Sequence, residues 1–119
     1  MAKVYIRKNM DEKVTGFWLE TRYEEKDAVK ATGGKWDPIQ RQWKVSFEAI
    51  EALEGKIDLA FSREALAWYE YYRARKTGIE NYVACPLCLS PALVTGDMAK
   101  CLFDEYEFPA AEGEPAPAI

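Results

Sequence analysis

The sequence contains no histidine. That absence removes the commonest general base, the usual partner of a serine or cysteine nucleophile, and the commonest nitrogen ligand for metals. A Ser-His-Asp or Cys-His hydrolytic arrangement is therefore excluded, and catalysis is not expected of this chain. Cysteine is scarce: there are three, an odd number for a disulfide scaffold, and two of them form a Cys-x-x-Cys pair that a reducing compartment leaves free for metal or redox chemistry. No run approaches the roughly 20 consecutive apolar residues that span a bilayer, and the opening Met-Ala-Lys-Val-Tyr-Ile-Arg lacks the apolar stretch of a secretory signal. The expectation is a cytoplasmic protein with no membrane partner. Cations are nearly missing from the last third. Residues 81–119 hold one Lys/Arg against six Asp/Glu, whereas residues 1–80 hold fifteen against fourteen.

What is present suffices for a packed core: 119 residues, 49% of them hydrophobic and 13% aromatic. Residues 3–8 alternate Val4 and Ile6 with Lys3, Tyr5 and Arg7, the period of a half-buried strand. After a turn at residues 9–12, residues 14–23 repeat the pattern, with Phe17, Leu19, Thr21 and Tyr23 on one face and Trp18, Glu20 and Arg22 on the other. Together they predict an antiparallel hairpin. Residues 24–32 read as a short helix, acidic at its start, with Lys30 near its end and Gly33-Gly34 as its stop. Asp37-Pro38 marks a turn into a second hairpin, along which Trp43, Val45 and Phe47 alternate. Ser46 caps a helix striped by Phe47, Ile50 and Leu53 and stopped at Gly55. Residues 57–61 are apolar enough to cross the core. Ser62 then caps a longer helix over residues 63–77, broadly apolar through Ala65, Leu66, Trp68, Tyr69 and Tyr72 and ended by Gly78.

The fold class expected from this order is α+β, a small, mainly antiparallel sheet with two to three helices, followed by a zinc-ribbon-like hairpin. The expected organisation is an α+β domain over 1–80, a cysteine-bearing module over 81–108 and a disordered Pro/Ala/Glu/Gly-rich tail over 109–119.

Three stretches carry chemistry. Lys35, Trp36, Arg41, Trp43 and Lys44 crowd one hairpin, and aromatic faces interleaved with cations are what single-stranded nucleic acid requires. The competing reading buries both tryptophans as core anchors and leaves the cations to solvate the other face. The run Lys30-Ala31-Thr32-Gly33-Gly34-Lys35-Trp36-Asp37-Pro38-Ile39-Gln40-Arg41-Gln42-Trp43-Lys44-Val45 resembles a small domain of bacterial and phage proteins with a GGxWDPxxRxWxV hairpin, also found fused to helicases or primases. Its layout is similar to that of the HARP domain of annealing helicases. The resemblance covers residues 15–53 and implies a nucleic-acid-linked module.

Cys85-Pro86-Leu87-Cys88 and Cys101-Leu102-Phe103-Asp104 have the layout of two zinc-ribbon knuckles, with Asp104 where a fourth cysteine would stand. A tight Cys-x-x-Cys turn brings two thiolates onto one tetrahedral ion, so Cys85, Cys88, Cys101 and Asp104 are candidate ligands of a structural zinc. The alternatives are a degenerate ribbon whose cysteines are buried as small hydrophobes and a redox pair. The third stretch, residues 68–76, places Arg73, Arg75 and Lys76 at a helix C-terminus, where the dipole favours them and where they also offer a docking surface for phosphate or protein.

The expected function is a non-catalytic, nucleic-acid-associated accessory module of phage or mobile-element type, meeting nucleic acid directly or through a complex. The rival is a protein-interaction adaptor, a subunit or inhibitor docking on a larger nucleic-acid-processing complex, favoured by the net charge of −4 and the acidic end.

Overall fold

The computed structural model describes residues 1–78 and 81–119, which divide into two compact units, Met1–Ala65 and Leu66–Ile119. The fold is α+β, with three α-helices and two mainly antiparallel sheets among the described residues. No helix among them is long and apolar enough to cross a membrane.

In the first unit β1 (Ala2–Lys8) and β2 (Val14–Glu20) form the expected hairpin, pairing Val4 with Leu19 and Ile6 with Phe17 so that the apolar residues share one face. The second hairpin, β3 (Lys35–Asp37) and β4 (Gln42–Val45), joins through β4 to β2, and β5 (Leu59–Phe61) runs parallel to β1 at the far edge, giving the order β3-β4-β2-β1-β5. Between the hairpins lie a 3-10 turn at Tyr23–Glu25 and α1 (Lys26–Ala31). Gly33 at φ 89° stops this helix as a left-handed residue that glycine adopts without steric cost. Ser46 accepts from the Ala49 amide at 3.1 Å and starts α2 (Phe47–Leu53), whose Phe47, Ala49, Ile50 and Leu53 are buried. Val4, Phe17, Leu19, Val29, Val45, Ile50 and Leu53 form the core, and Phe17 meets Phe47 edge-on at 4.9 Å.

Ser62 caps α3 (Arg63–Thr77) through the Ala65 amide. The second unit continues through β6 (Tyr82–Ala84), β7 (Pro91–Thr95), β8 (Met98–Cys101) and β9 (Glu107–Pro109), an antiparallel ribbon paired in sequence order.

The boundary at 80/81 adjoins residues 79 and 80, which lie outside the described residues, and the units divide upstream, at 65/66. The reason lies in the aromatics of α3. Tyr71 is buried, meets Tyr82 edge-on at 5.0 Å and donates its hydroxyl to the Pro117 carbonyl at 2.6 Å. Towards the C-terminal end Ala84 and Glu114 exchange two backbone hydrogen bonds, and Arg75 also donates to the Pro117 carbonyl. The Pro-rich composition of this end limits its own secondary structure but leaves its carbonyls available to neighbouring donors.

Candidate functional site

The second unit brings its three cysteines together with one carboxylate. Ligand atoms of Cys85, Cys88, Cys101 and Asp104 all lie within 4.8 Å of one another, close enough to bind a metal ion and compatible with a structural metal. The two knuckles that carry them share one backbone pattern. Leu89 donates to the Cys85 carbonyl at 2.8 Å, and Glu105 donates to the Cys101 carbonyl at 3.0 Å. Cys85 in turn donates to the Ser90 carbonyl, and Cys101 to that of Tyr106. Leu89 and Glu105 both sit in left-handed conformations, at φ 61° and 63°, which non-glycine side chains rarely adopt. The Ser90 amide donates to the Cys88 thiol, as the Tyr106 amide donates to Asp104 Oδ1 at 3.0 Å. Asp104 thus occupies the position in its knuckle that Cys88 occupies in the other.

Electrostatics divide three of the four groups. Burial pushes the Cys88 and Cys101 thiols up, so both are protonated until a cation compensates their charge. The Tyr106 amide holds the exposed Asp104 carboxyl below its ordinary range, ready as an anionic ligand. None of the three cysteines is disulfide-bonded, and the Cys88 and Cys101 sulfurs are 3.6 Å apart.

The first unit carries a cleft of about 440 Å³ lined by Thr21, Arg22, Tyr23, Lys26, Lys30, Trp36 and Trp43. It contains three cations and no carboxylate. Trp36 is 51% exposed and Tyr23 77% exposed, and the Lys26 ammonium lies 3.9 Å from the centre of the Tyr23 ring. Trp43 is 6% exposed and donates its indole N–H to the Thr21 hydroxyl at 3.1 Å.

The hairpin's aromatics and cations fall on opposite faces. Trp36 pairs with Trp43 on one side, while Lys35 pairs with Lys44 on the other, because successive residues of a strand alternate. Lys44 is engaged by Asp37 at 3.6 Å and lies 6.0 Å from the Trp18 ring. Arg41 is exposed at the hairpin turn, at φ 56°. Trp43 lies with the core residues and still lines the cleft. Arg73, Arg75 and Lys76 belong to the second unit, where they lie against the Tyr69, Tyr71 and Tyr72 rings at 5.8, 5.5 and 5.4 Å.

Tyr23, Lys26, Lys30 and Arg22 were not expected at a site. The four-residue spacing of Lys26 and Lys30, which places both on one face of α1, was the available signal. Compared with known proteins, the chain matches no family model, no curated protein and no solved structure.

Proposed function

We propose that this chain is a non-catalytic nucleic-acid-associated module that binds single-stranded or structured nucleic acid through its first unit, with a structural zinc ion in its second. The observation that carries the nucleic-acid reading is the cleft, where Arg22, Lys26 and Lys30 surround the open rings of Tyr23 and Trp36 with no acidic side chain among them. Cations that track phosphate beside aromatic faces that stack bases are the two components of single-strand binding. The overall charge of −4 does not oppose this, because phosphate responds to the local field of a cleft more than to the net charge of the chain. The likeness of residues 15–53 to the GGxWDPxxRxWxV hairpin supports the same reading.

Zinc is supported by the donor set. Zn–S bonds of about 2.3 Å in a tetrahedron place two sulfurs ~3.8 Å apart, and Cys88 and Cys101 are at 3.6 Å. The ribbon also needs a cross-link. Its buried cluster is Cys85, Ala92, Ala99, Cys101 and Phe108, in which Phe108 is the one large side chain. With four protein ligands the ion has no open position for chemistry, and its contribution is to stability.

The test is fluorescence anisotropy of nuclease-treated protein with single-stranded DNA, duplex DNA and RNA across a salt series. Micromolar or tighter binding that weakens with a negative slope of log K against log salt supports the reading. Absence of binding to all three at low salt rejects it.

A further inference from the structure

We infer that the cleft of the first unit takes one unpaired base at a time from a strand, stacked on the Tyr23 and Trp36 rings, with the adjoining phosphate held by Lys26, Lys30 and Arg22. The inference rests on the nucleic-acid reading above and specifies its ligand.

Three observations carry it. The first is size. A cleft of about 440 Å³ falls in the range of ~300–1,000 Å³ that holds a small molecule, which suits one nucleotide. Recognition of a duplex instead needs a protein surface of at least about 600 Å² presented to a groove. Bases stacked in a duplex also offer only their edges, whereas an aromatic wall needs an open base face.

The second is charge. Three cations without a carboxylate among the lining residues oppose a methylated-lysine or arginine ligand, which open aromatic rings alone would otherwise suit, and favour a group that combines a flat ring with a negative charge. Lys26 and Lys30 stand one turn apart on α1, so their ammonium groups can serve one phosphate.

The third is preorganisation. Trp36 rests edge-to-face on Trp43 at 5.4 Å, and Trp43 is itself tied to Thr21, so the exposed ring is held before any ligand arrives. Tyr23 begins a 3-10 turn whose backbone is fixed by two hydrogen bonds: the Arg22 amide donates to Glu25 Oε1 at 2.9 Å, and the Glu25 amide donates to the Arg22 carbonyl at 3.0 Å. The Trp36 ring, already held, loses little rotamer freedom on stacking a base.

The experiment compares a blunt DNA hairpin, the same hairpin with a three-nucleotide single-stranded overhang, the free mononucleotide dTMP and a phosphotyrosine peptide, with 2-aminopurine in the overhang as the reporter. The overhang is expected to raise affinity at least tenfold over the blunt hairpin and to quench 2-aminopurine. Trp36→Ala and Tyr23→Ala are each expected to lower affinity for the overhang about tenfold or more, with unchanged far-UV circular dichroism, because both side chains are exposed. Lys30→Ala is expected to reduce the salt slope by about one phosphate. If the overhang binds but both aromatic variants bind it as the parent chain does, the base-in-cleft inference falls while the nucleic-acid reading stands. If no nucleic acid binds, both fall. Displacement of the overhang by dTMP at equal concentration assigns the cleft to a free nucleotide, and displacement by the phosphotyrosine peptide assigns it to a protein ligand; either overturns the inference.

Discussion

Trp36 faces Trp43 across the β3–β4 ladder with ring centroids 5.4 Å apart and planes at 65°, yet the first is 51% exposed and the second 6%. One tryptophan supports the other. The inner ring takes part in the core beside Leu19, its partner on β2, and the outer ring is left with an open face. Trp43→Ala should therefore cost about 3–5 kcal/mol, the range for removing a buried large aromatic, and unfold much of the first unit. Trp36→Ala should cost about 1 kcal/mol, the worth of an edge-to-face pair at the surface. Urea denaturation followed by far-UV circular dichroism separates the two; equal costs would contradict the division between anchor and platform.

Gly16 gives a second stability prediction. A Cβ placed there would lie 2.4 Å from the Val45 carbonyl oxygen, a backbone atom fixed by the β2–β4 ladder. It would also meet the Arg7 guanidinium at 2.8 Å, but that group ends a flexible side chain and can move. Gly16→Ala should destabilise the first unit by about 1–3 kcal/mol through this overpacking, read as a lower urea midpoint with an unchanged slope. An unchanged midpoint would mean that β2 and β4 separate without cost at this point.

Asp37 should make the first unit acid-sensitive. Its carboxylate accepts the Gln40 and Ile39 amides at 3.0 and 2.9 Å, and Lys44 lies beside it, so the carboxyl titrates below its ordinary range. Because the folded value lies below the unfolded one, about 3.9 for aspartate, the carboxylate contributes stability above that pH. The contribution is lost as pH falls through the folded value. Asp37→Asn should lower the urea midpoint at pH 6, and the difference from the parent should shrink below about pH 4. A pH-independent difference would show that the hydrogen bonds, and not the charge, are what count.

Features specified within a few residues were legible in the sequence. The β1–β2 hairpin follows from alternation, and the Ser46 and Ser62 caps with the Gly33 and Gly55 stops follow from local backbone chemistry. The knuckles were legible because Cys-x-x-Cys and Cys-x-x-Asp carry their geometry in their spacing. The cleft was not. Alternation carried past Glu20 assigns Tyr23 to the core face, but β2 ends at Glu20 and the 3-10 turn rotates Tyr23 into solvent. That Lys26 and Lys30 share a cleft with Trp36 depends on where α1 lies against the second hairpin, which no local signal encodes. The contacts of the tail were not legible for a related reason. Its composition disfavours helix and strand, while the donors that hold it, Tyr71 and Arg75, are more than forty residues away in sequence.

Asp104 decides the last prediction, on the metal centre. It takes the Tyr106 amide as Cys88 takes the Ser90 amide, so a cysteine there would find its backbone already arranged. Asp104→Cys should bind zinc more tightly than the parent, since a fourth thiolate is the usual structural donor, and should raise the melting temperature of the second unit. Asp104→Ala should weaken the site without abolishing it, because the three sulfurs remain. Cys85→Ser, or chelation of the parent, should speed amide exchange in β7 and β8 while β1 and β2 keep their protection, since the ribbon's small core would lose its cross-link. Cobalt titration monitors the donor set directly: visible d–d bands of a tetrahedral ion with sulfur-to-metal charge transfer are expected for the parent, with stronger charge transfer for Asp104→Cys. Burial keeps Cys88 and Cys101 protonated before the ion arrives, so binding should release protons into unbuffered solution and weaken as pH falls. A parent chain that gives neither bands nor proton release would make the cluster a set of buried thiols. The matched knuckles would then be a geometry held by the backbone alone.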